Sequence, residues 1–195
     1  SVITVSEATP AEALLRYPSA RNVVAIHNGA DLPERLQTDT RGGSRSPFTI
    51  LYVAKFMPYK GQQQAVDAFE RLLTKWPQLQ GKVRLVMHGF SNDEAYYEAL
   101  KVRIGKGVLK GAVEIRPYDR SKTLQEIYAD ADLFLFLTRY EGFGLPVVEA
   151  QALDIPVVCS GIPVLREVGG DGACYVDPAD AEAVANELER IIGDP

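Results

Sequence analysis

A chain of 195 residues with 46% hydrophobic and 24% charged content can bury one good core, with at most part of a second unit attached. Its net charge of -5 and pI near 5.1 argue against a general polyanion-binding surface, because phosphate backbones require a basic face; no nucleic-acid partner is expected. The longest apolar runs, such as residues 133–137, are far too short to span a bilayer, and no charged leader precedes an apolar stretch, so the chain reads as soluble.

In chain order, a strand over residues 2–5 comes first, then Ser6 as the expected N-cap of a short helix reaching about Arg16, then a second strand near 23–26. Two strands and a helix do not make a domain. The run Gly42, Gly43, Ser44, Arg45, Ser46 and Pro47 reads as a flexible break, which divides the chain into residues 1–46 and 47–195.

Beyond the break, apolar runs rich in β-branched residues recur at 50–53, 83–87, 113–115, 133–137, 157–159 and 173–176. Most lack polar alternation, as strands buried on both faces of a parallel sheet do. Ala65, Val66, Phe69, Leu72, Leu73 and Trp76 form one helical stripe, with Gly61 and Pro77 at its ends. Ala181, Val184, Ala185, Leu188, Ile191 and Ile192 form another. Strands alternating with helices predict an α/β fold with a doubly wound, Rossmann-like parallel sheet, whose ligands sit at the carboxyl ends of the strands. After the first of these strands the chain reads Ala54-Lys55-Phe56-Met57-Pro58 without GxGxxG, which counts against a dinucleotide-dependent oxidoreductase.

Cys159 and Cys174 lie in apolar surroundings without CxxC or Cys/His spacing and read as reduced packing residues; neither a disulfide framework nor a metal site is expected.

The stretch EGFGLPVVEA, residues 141–150, follows the strand at 133–137. Glu141 belongs to a loop, Pro146 suits the first position of a helix, and Glu149 is the charged exception in an otherwise apolar helix. A carboxylate placed there needs donors, from the helix N-terminus or from a ligand diol. Gly142 and Gly144 let backbone amides approach a ligand closely. Taken alone, Glu141 reads as a solvated loop charge and Glu149 as a helix residue satisfied by its own backbone; the whole string does not.

EGFGLPVVEA resembles the glutamate, seven residues, glutamate signature of the retaining GT-B glycosyltransferases of the family-4 type. The resemblance extends to ILYVAKFMPYKG at 50–61, to HNGAD at 27–31, to IYADADLFLFLTRYEGFG before the signature and to IPVVCSGIPVLREVGGDGACYVDPAD after it. It implies a two-domain enzyme, with residues 47–195 as the C-terminal half of the GT-B fold that binds a nucleotide-sugar donor. Residues 1–46 resemble the tail end of the N-terminal domain and the interdomain segment, so the chain reads as a fragment that lacks the acceptor half and is inactive alone.

Carried over residue by residue, Lys60 matches the lysine at the donor pyrophosphate, and Lys55 stands where an arginine is more usual, keeping the charge without the bidentate fork. Charge growing on the leaving diphosphate calls for fixed cations, and two lysines with a helix end supply them without a cofactor or metal. Glu149 matches the ribose ligand, and Glu141 the residue at the donor sugar, where it positions and stabilises the transition state. The amides of Phe143, Gly144 and Leu145 match contacts to sugar and phosphate. Arg116, Pro117 and Tyr118 align with the segment beside the base, where Tyr118 either stacks or packs. Asp154 replaces a common glycine, and Thr138 and Arg139 a usual Pro-Ser pair. Glu167 matches a glutamate of structural role, and His27 and His88 read as junction and strand-end residues.

The resemblance implies transfer of a sugar from GDP-mannose or a UDP-sugar to a saccharide or glycolipid acceptor, with a cytoplasmic location and peripheral membrane association of the full enzyme. A noncatalytic sugar-nucleotide-binding module and a GT-B sugar-nucleotide epimerase are the alternatives.

Overall fold

The computed structural model describes residues 2–29 and 46–193. Within the first of these segments, β1 (Val2–Thr4) and β2 (Val23–Ala25) pair in parallel across α1 (Pro10–Arg16), a two-stranded sheet apart from the rest. Ser6 does not cap α1. The helix starts at Pro10, whose missing N–H is harmless only in a first turn, and Thr9 takes the cap position without a side-chain cap bond. Ser6 is fully buried, and its hydroxyl meets that of Thr9 at 3.0 Å. Asp31 and the expected break at Gly42, Gly43, Ser44 and Arg45 lie outside the described residues.

The larger unit is a six-stranded parallel sheet in the order β5-β4-β3-β6-β7-β8. Its strands are β3 (Phe48–Val53), β4 (Val83–Gly89), β5 (Val113–Pro117), β6 (Leu133–Phe136), β7 (Val157–Ser160) and β8 (Ala173–Val176). All six match the apolar runs of the sequence. Residues in β3, β4, β6 and β7 are almost entirely buried, which explains why their sequences lack alternation.

The connecting helices are α2 (Gln62–Lys75), α3 (Glu94–Ile104), α4 (Leu124–Tyr128), α5 (Leu145–Ala152) and α6 (Pro163–Gly169), with α7 (Ala181–Gly193) at the end. The apolar stripes of α2 and α7 face each other, so Ala65, Val66, Phe69, Leu72, Val184, Ala185 and Leu188 are fully buried. Local signals explain the helices that lack such stripes. The Asp93 carboxylate accepts Tyr96 N–H at 3.0 Å at the start of α3, and Thr123 with Glu126 makes a reciprocal capping box on α4.

From β3 the chain winds outward through α2 to β4, and from β6 it winds the opposite way through α5 to β7. Right-handed crossovers therefore put α2 and α5 on opposite faces, and a crevice opens beyond the carboxyl ends of β3 and β6, where the winding reverses.

One glycine fixes the turn that enters α2. Gly61 has φ 78°, and a Cβ there would lie 2.0 Å from Leu137 O just beyond β6. Gly81 has a similar φ of 76° with nothing within 4 Å of its Cβ position. Gly61→Ala should therefore cost about 2–4 kcal/mol in urea unfolding, against about 1 kcal/mol for Gly81→Ala, which carries the left-handed strain alone. Equal losses would show that the approach to Leu137 does not constrain the fold.

Candidate functional site

Two loops meet at the crevice. After β3 the chain passes Lys55 into a 3-10 turn, Pro58–Lys60, and after β6 it passes Thr138, Arg139 and Tyr140 to Glu141. Their backbones are stitched together. Arg139 N–H donates to Tyr59 O at 2.8 Å, and the buried Thr138 hydroxyl lies 3.2 Å from the same oxygen and 2.7 Å from Tyr140 O. These bonds give the two residues that depart from the usual Pro-Ser pair a place in the loop.

The Tyr52 hydroxyl makes the deepest stitch. It accepts Leu137 N–H at 3.1 Å and donates to Lys60 O, with the ring 1% exposed. Burial pushes its phenol far above the ordinary tyrosine range, so the proton stays on the oxygen. Sequence reading placed Tyr52 in a strand run and missed this role. A tyrosine in a strand buried on both faces was the signal, since its hydroxyl needs a partner.

Held in this way, Lys60 Nζ lies 2.6 Å from Glu141 Oε2, and each side chain is 16% exposed. The ammonium sits 5.4 Å from the Tyr59 ring centroid and 5.9 Å from that of Phe136. Glu141 Oε1 takes Gly142 N–H at 3.2 Å. A half-desolvated ion pair with one partner removed leaves a poorly compensated charge, so the two residues act as a unit.

Lys55 is turned elsewhere. Its Nζ is 3.1 Å from the side-chain amide of Asn92, whose oxygen accepts from it when the amide is oriented to satisfy both its ends, and 5.6 Å from the Phe90 ring centroid, on the loop after β4. Among the described residues, no hydrogen bond or ion pair links it to the Lys60–Glu141 pair. Phe90 and Tyr118 are each 51% exposed and meet edge to face with centroids 6.2 Å apart, so Tyr118 packs on a neighbour that sequence reading did not single out. Arg116 forms a two-pronged pair with Glu114 at 2.8 Å for each bond, which commits its guanidinium to its own strand. Pro117 is exposed at the strand end.

The signature turn leads into α5 with Gly144 as its N-cap at φ 98°, where a Cβ would lie 2.6 Å from Leu165 Cδ2. Leu145 is the first helical residue and Pro146 the second, one position later than the sequence suggested, because Gly144 rather than a side chain forms the cap. Val147 N–H is spent on Gly144 O at 2.9 Å and Pro146 has none, which leaves the Gly144 and Leu145 amides as the donors facing outward from this end. The Phe143 side chain is 8% exposed and packs on His27 with centroids 5.7 Å apart, so only its backbone can meet a ligand.

Glu149 lies in the second turn of α5, beyond reach of the N-terminal amides that the sequence suggested as its donors. Its donor is the Tyr128 hydroxyl, 2.8 Å from Oε2. Burial pushes the Glu149 carboxyl up, and the Tyr128 bond works against that rise.

Glu167 gathers donors from the preceding small sheet unit. Glu7 N–H, Ala8 N–H and His27 Nε2 lie 2.7, 2.9 and 2.7 Å from its carboxylate oxygens. His27 thus occupies the junction that the sequence suggested, between Glu167 and Phe143. His88, next to last in β4, is 5% exposed, and burial lowers its affinity for a proton, with Arg116 and Lys122 adding to the effect. Cys159 is buried with its thiol pushed up to about 12 by burial, and Cys174 is likewise free. Asp154 adopts the glycine-like φ of 55° after α5, so the turn keeps the shape that a glycine would give it.

Two measurements follow from these bonds. Tyr52→Phe keeps the ring but strands Leu137 N–H and Lys60 O, and should cost about 1–3 kcal/mol in thermal unfolding. An unchanged midpoint would mean that the phenol bridge contributes nothing. Burial opposes ionisation of Glu167, yet its bonds from Glu7, Ala8 and His27 hold its carboxyl below the ordinary glutamate range. The clamp's stabilisation is therefore present above the unfolded pKa of glutamate and is lost as pH falls through the lower folded value. Amide-exchange protection factors at Glu7 and Ala8 should fall in that acid window while those of β3 hold; unaltered protection would refute the clamp.

Known proteins resemble this chain in sequence and in fold. The family model described as glycosyl transferases group 1 matches residues 38–195. O-antigen chain mannosyltransferase B of Escherichia coli is 30% identical over 146 residues, covering 74% of this chain and 36% of that protein. Mannosylfructose-phosphate synthase of Agrobacterium fabrum is 30% identical over 138 residues, covering 68% and 30%. The chain thus spans about a third of the length of these curated relatives. Among solved structures, TarM superimposes with a TM-score of 0.78 at 18% identity over 100% of this chain and 36% of its own. A UDP-forming trehalose-phosphate synthase from Burkholderia xenovorans superimposes with 0.76 at 20% identity over 99% and 53%. The parallel α/β fold matches that of GT-B glycosyltransferase structures, and with the family model spanning most of its length the chain belongs to the glycosyl transferases group 1 family.

Proposed function

We propose that this chain is the donor-binding part of a retaining glycosyltransferase that moves a hexose from a nucleoside-diphosphate sugar to a saccharide or glycolipid acceptor. The observation that carries the reading is the Lys60–Glu141 pair at 2.6 Å, set at the mouth of the crevice where the sheet reverses its winding. GDP-mannose is the favoured donor, since the E. coli relative and the serotype-specific WbdA enzymes are named mannosyltransferases; a UDP-sugar is the alternative.

Transfer breaks the bond between the anomeric carbon and a diphosphate oxygen and makes one to an acceptor hydroxyl oxygen, whose proton passes to the departing diphosphate oxygen. Negative charge grows on the leaving group. Lys60, with two ammonium N–H groups beyond the one given to Glu141, and the Gly144 and Leu145 amides stabilise it. Lys55 lies farther along the mouth, where it serves phosphate less directly than Lys60 and lies beside the Phe90–Tyr118 pair, which flanks the base with Pro117. Arg116 acts through Glu114 on the shape of that wall. Glu141 and the Phe143 and Gly144 backbone hold the sugar, and Glu149 takes the ribose hydroxyls. No metal or cofactor enters this scheme.

Residues 1–46 are proposed to be the end of the acceptor-binding domain and the segment leading from it, so that the acceptor binds chiefly to parts beyond this chain and the chain alone is inactive. Among the described residues no helix is long and apolar enough to cross a membrane. A cytoplasmic enzyme that meets lipid-linked acceptors by peripheral membrane association fits this reading.

Calorimetric titration with UDP, GDP, ADP, CDP and NAD tests it. One nucleoside diphosphate should bind saturably, about tenfold or more weakly after Lys60→Ala or Glu149→Ala, as expected for the loss of a hydrogen bond to a charged group. Melting curves of both variants establish that they fold. Preference for NAD, or no binding of any of the five, would overturn the proposal. In the intact enzyme Glu141→Gln should lower kcat at least about a hundredfold, and near-normal turnover would remove Glu141 from its role.

A further inference from the structure

Tyr128 is fully buried at the end of α4, yet its hydroxyl is aimed out of the core at Glu149 on α5, with an oxygen-to-oxygen distance of 2.8 Å to Oε2. Its ring is fixed by Phe134 of β6, with centroids 5.6 Å apart, and the hydroxyl lies 3.5 Å from Pro146 O, which cannot compete for the one proton at that range. The bond ties the end of α4, which sequence reading did not single out, to the second turn of α5.

We propose that Tyr128 is a positioning residue for the donor: its hydroxyl fixes Glu149 Oε2, so that Oε1 is presented to the ribose diol of the bound nucleotide. This rests on the donor reading above. A glutamate has three side-chain torsions to freeze, and a carboxylate tied at one oxygen before the ligand arrives loses less freedom on binding. The tie also acts on charge. A diol donates to an ionised carboxylate, and burial favours the neutral form of Glu149, against which the phenol's hydrogen bond works.

The surrounding ionisable groups are turned away. Glu149 is the one ionisable residue of α5, whose Gln151 donates to Gly169 O at 2.8 Å. On α6, Arg166 bonds Gly161 O and lies over the Tyr175 ring, and Glu167 is occupied by Glu7, Ala8 and His27. On α4, Glu126 is held in the Thr123 capping box. Cys159 on β7 has its thiol pushed up to about 12 and stays neutral. Burial acts most strongly on how Glu149 titrates, and Tyr128 is the side chain whose bond works against it.

Tyr128→Phe removes one oxygen and keeps the packed ring, which makes it the test. In the intact protein, titration with GDP, UDP and their 2′-deoxy counterparts across pH should show ribonucleotide affinity down about threefold to tenfold near neutrality, the range for one hydrogen bond. The acid limb of binding should move to higher pH, since the carboxyl has lost a bond that favours its ionised form. Affinity for the 2′-deoxynucleotide should fall less, because only its 3′-hydroxyl remains to donate to Glu149. Against a Glu149→Gln background, Tyr128→Phe should add no further loss. If Glu149→Gln leaves nucleotide affinity unchanged, or if neither ribonucleotide binds the unmodified protein, the donor reading itself falls. If Glu149→Gln weakens binding but Tyr128→Phe leaves the acid limb in place, or weakens ribo- and deoxynucleotide alike at every pH, Glu149 keeps its role and the positioning role of Tyr128 is overturned.

Discussion

The phenol of Tyr52, bonded at once to Leu137 N–H and Lys60 O, is the constraint on which the candidate site depends. It sits where β3 and β6, adjacent in the sheet but 85 residues apart between Tyr52 and Leu137, deliver their loops to the same crevice. Each bond is worth only about 1 kcal/mol net, but a buried backbone group left without its partner costs more, so the bridge resists opening. The approach of Gly61 to Leu137 O works in the same sense by removing the space for any side chain. Lys60 and Glu141 meet because these backbone contacts leave their side chains little choice of direction.

Both carboxylates of the signature are partly withdrawn from water, and each is supported by a different kind of donor. Glu141 has a cation, Lys60, and Glu149 has a neutral phenol, Tyr128. The difference suits the roles proposed for them. A cation beside Glu141 stays available to a diphosphate, because an ammonium has three donors and the carboxylate uses one. A second fixed cation beside Glu149 would bind the carboxylate so well that a ribose diol could add little, whereas a single hydroxyl leaves most of its accepting capacity open.

How much of this was legible in the sequence depends on the range of the interaction. All six strands of the main sheet were legible because burial on both faces writes itself into consecutive residues, as did the facing stripes of α2 and α7. The positions of Lys60 and Glu141 at one crevice were legible too, through the motif and the rule that ligands gather at strand ends. Ser6 was misread because a polar residue before an apolar run looks like a cap, while Pro10 alone decides where the helix can begin. Pro146 and Glu149 each fell one step from the expected setting, since a glycine cap shifts the helix register by one residue. The bonds of Tyr52 and Tyr128 span 85 and 21 residues and leave no periodicity, only an unexplained hydroxyl in an apolar run. Arg116 was read as a base-side residue, yet Glu114, two positions earlier on the same face of the strand, claims its guanidinium.

The small β1–α1–β2 unit is coupled to the signature loop by more than chain connection. Glu167 holds Glu7, Ala8 and His27, His27 lies against Phe143, and Phe143 lies between Glu141 and the cap residue Gly144. Any displacement of the first unit must therefore either break three bonds to one carboxylate or carry Phe143 with it. Phe143 is buried and Gly144 has no room for a side chain against Leu165, so the loop is packed closely where it enters α5. The place of the signature loop relative to the first unit is thus held by Glu167 and His27.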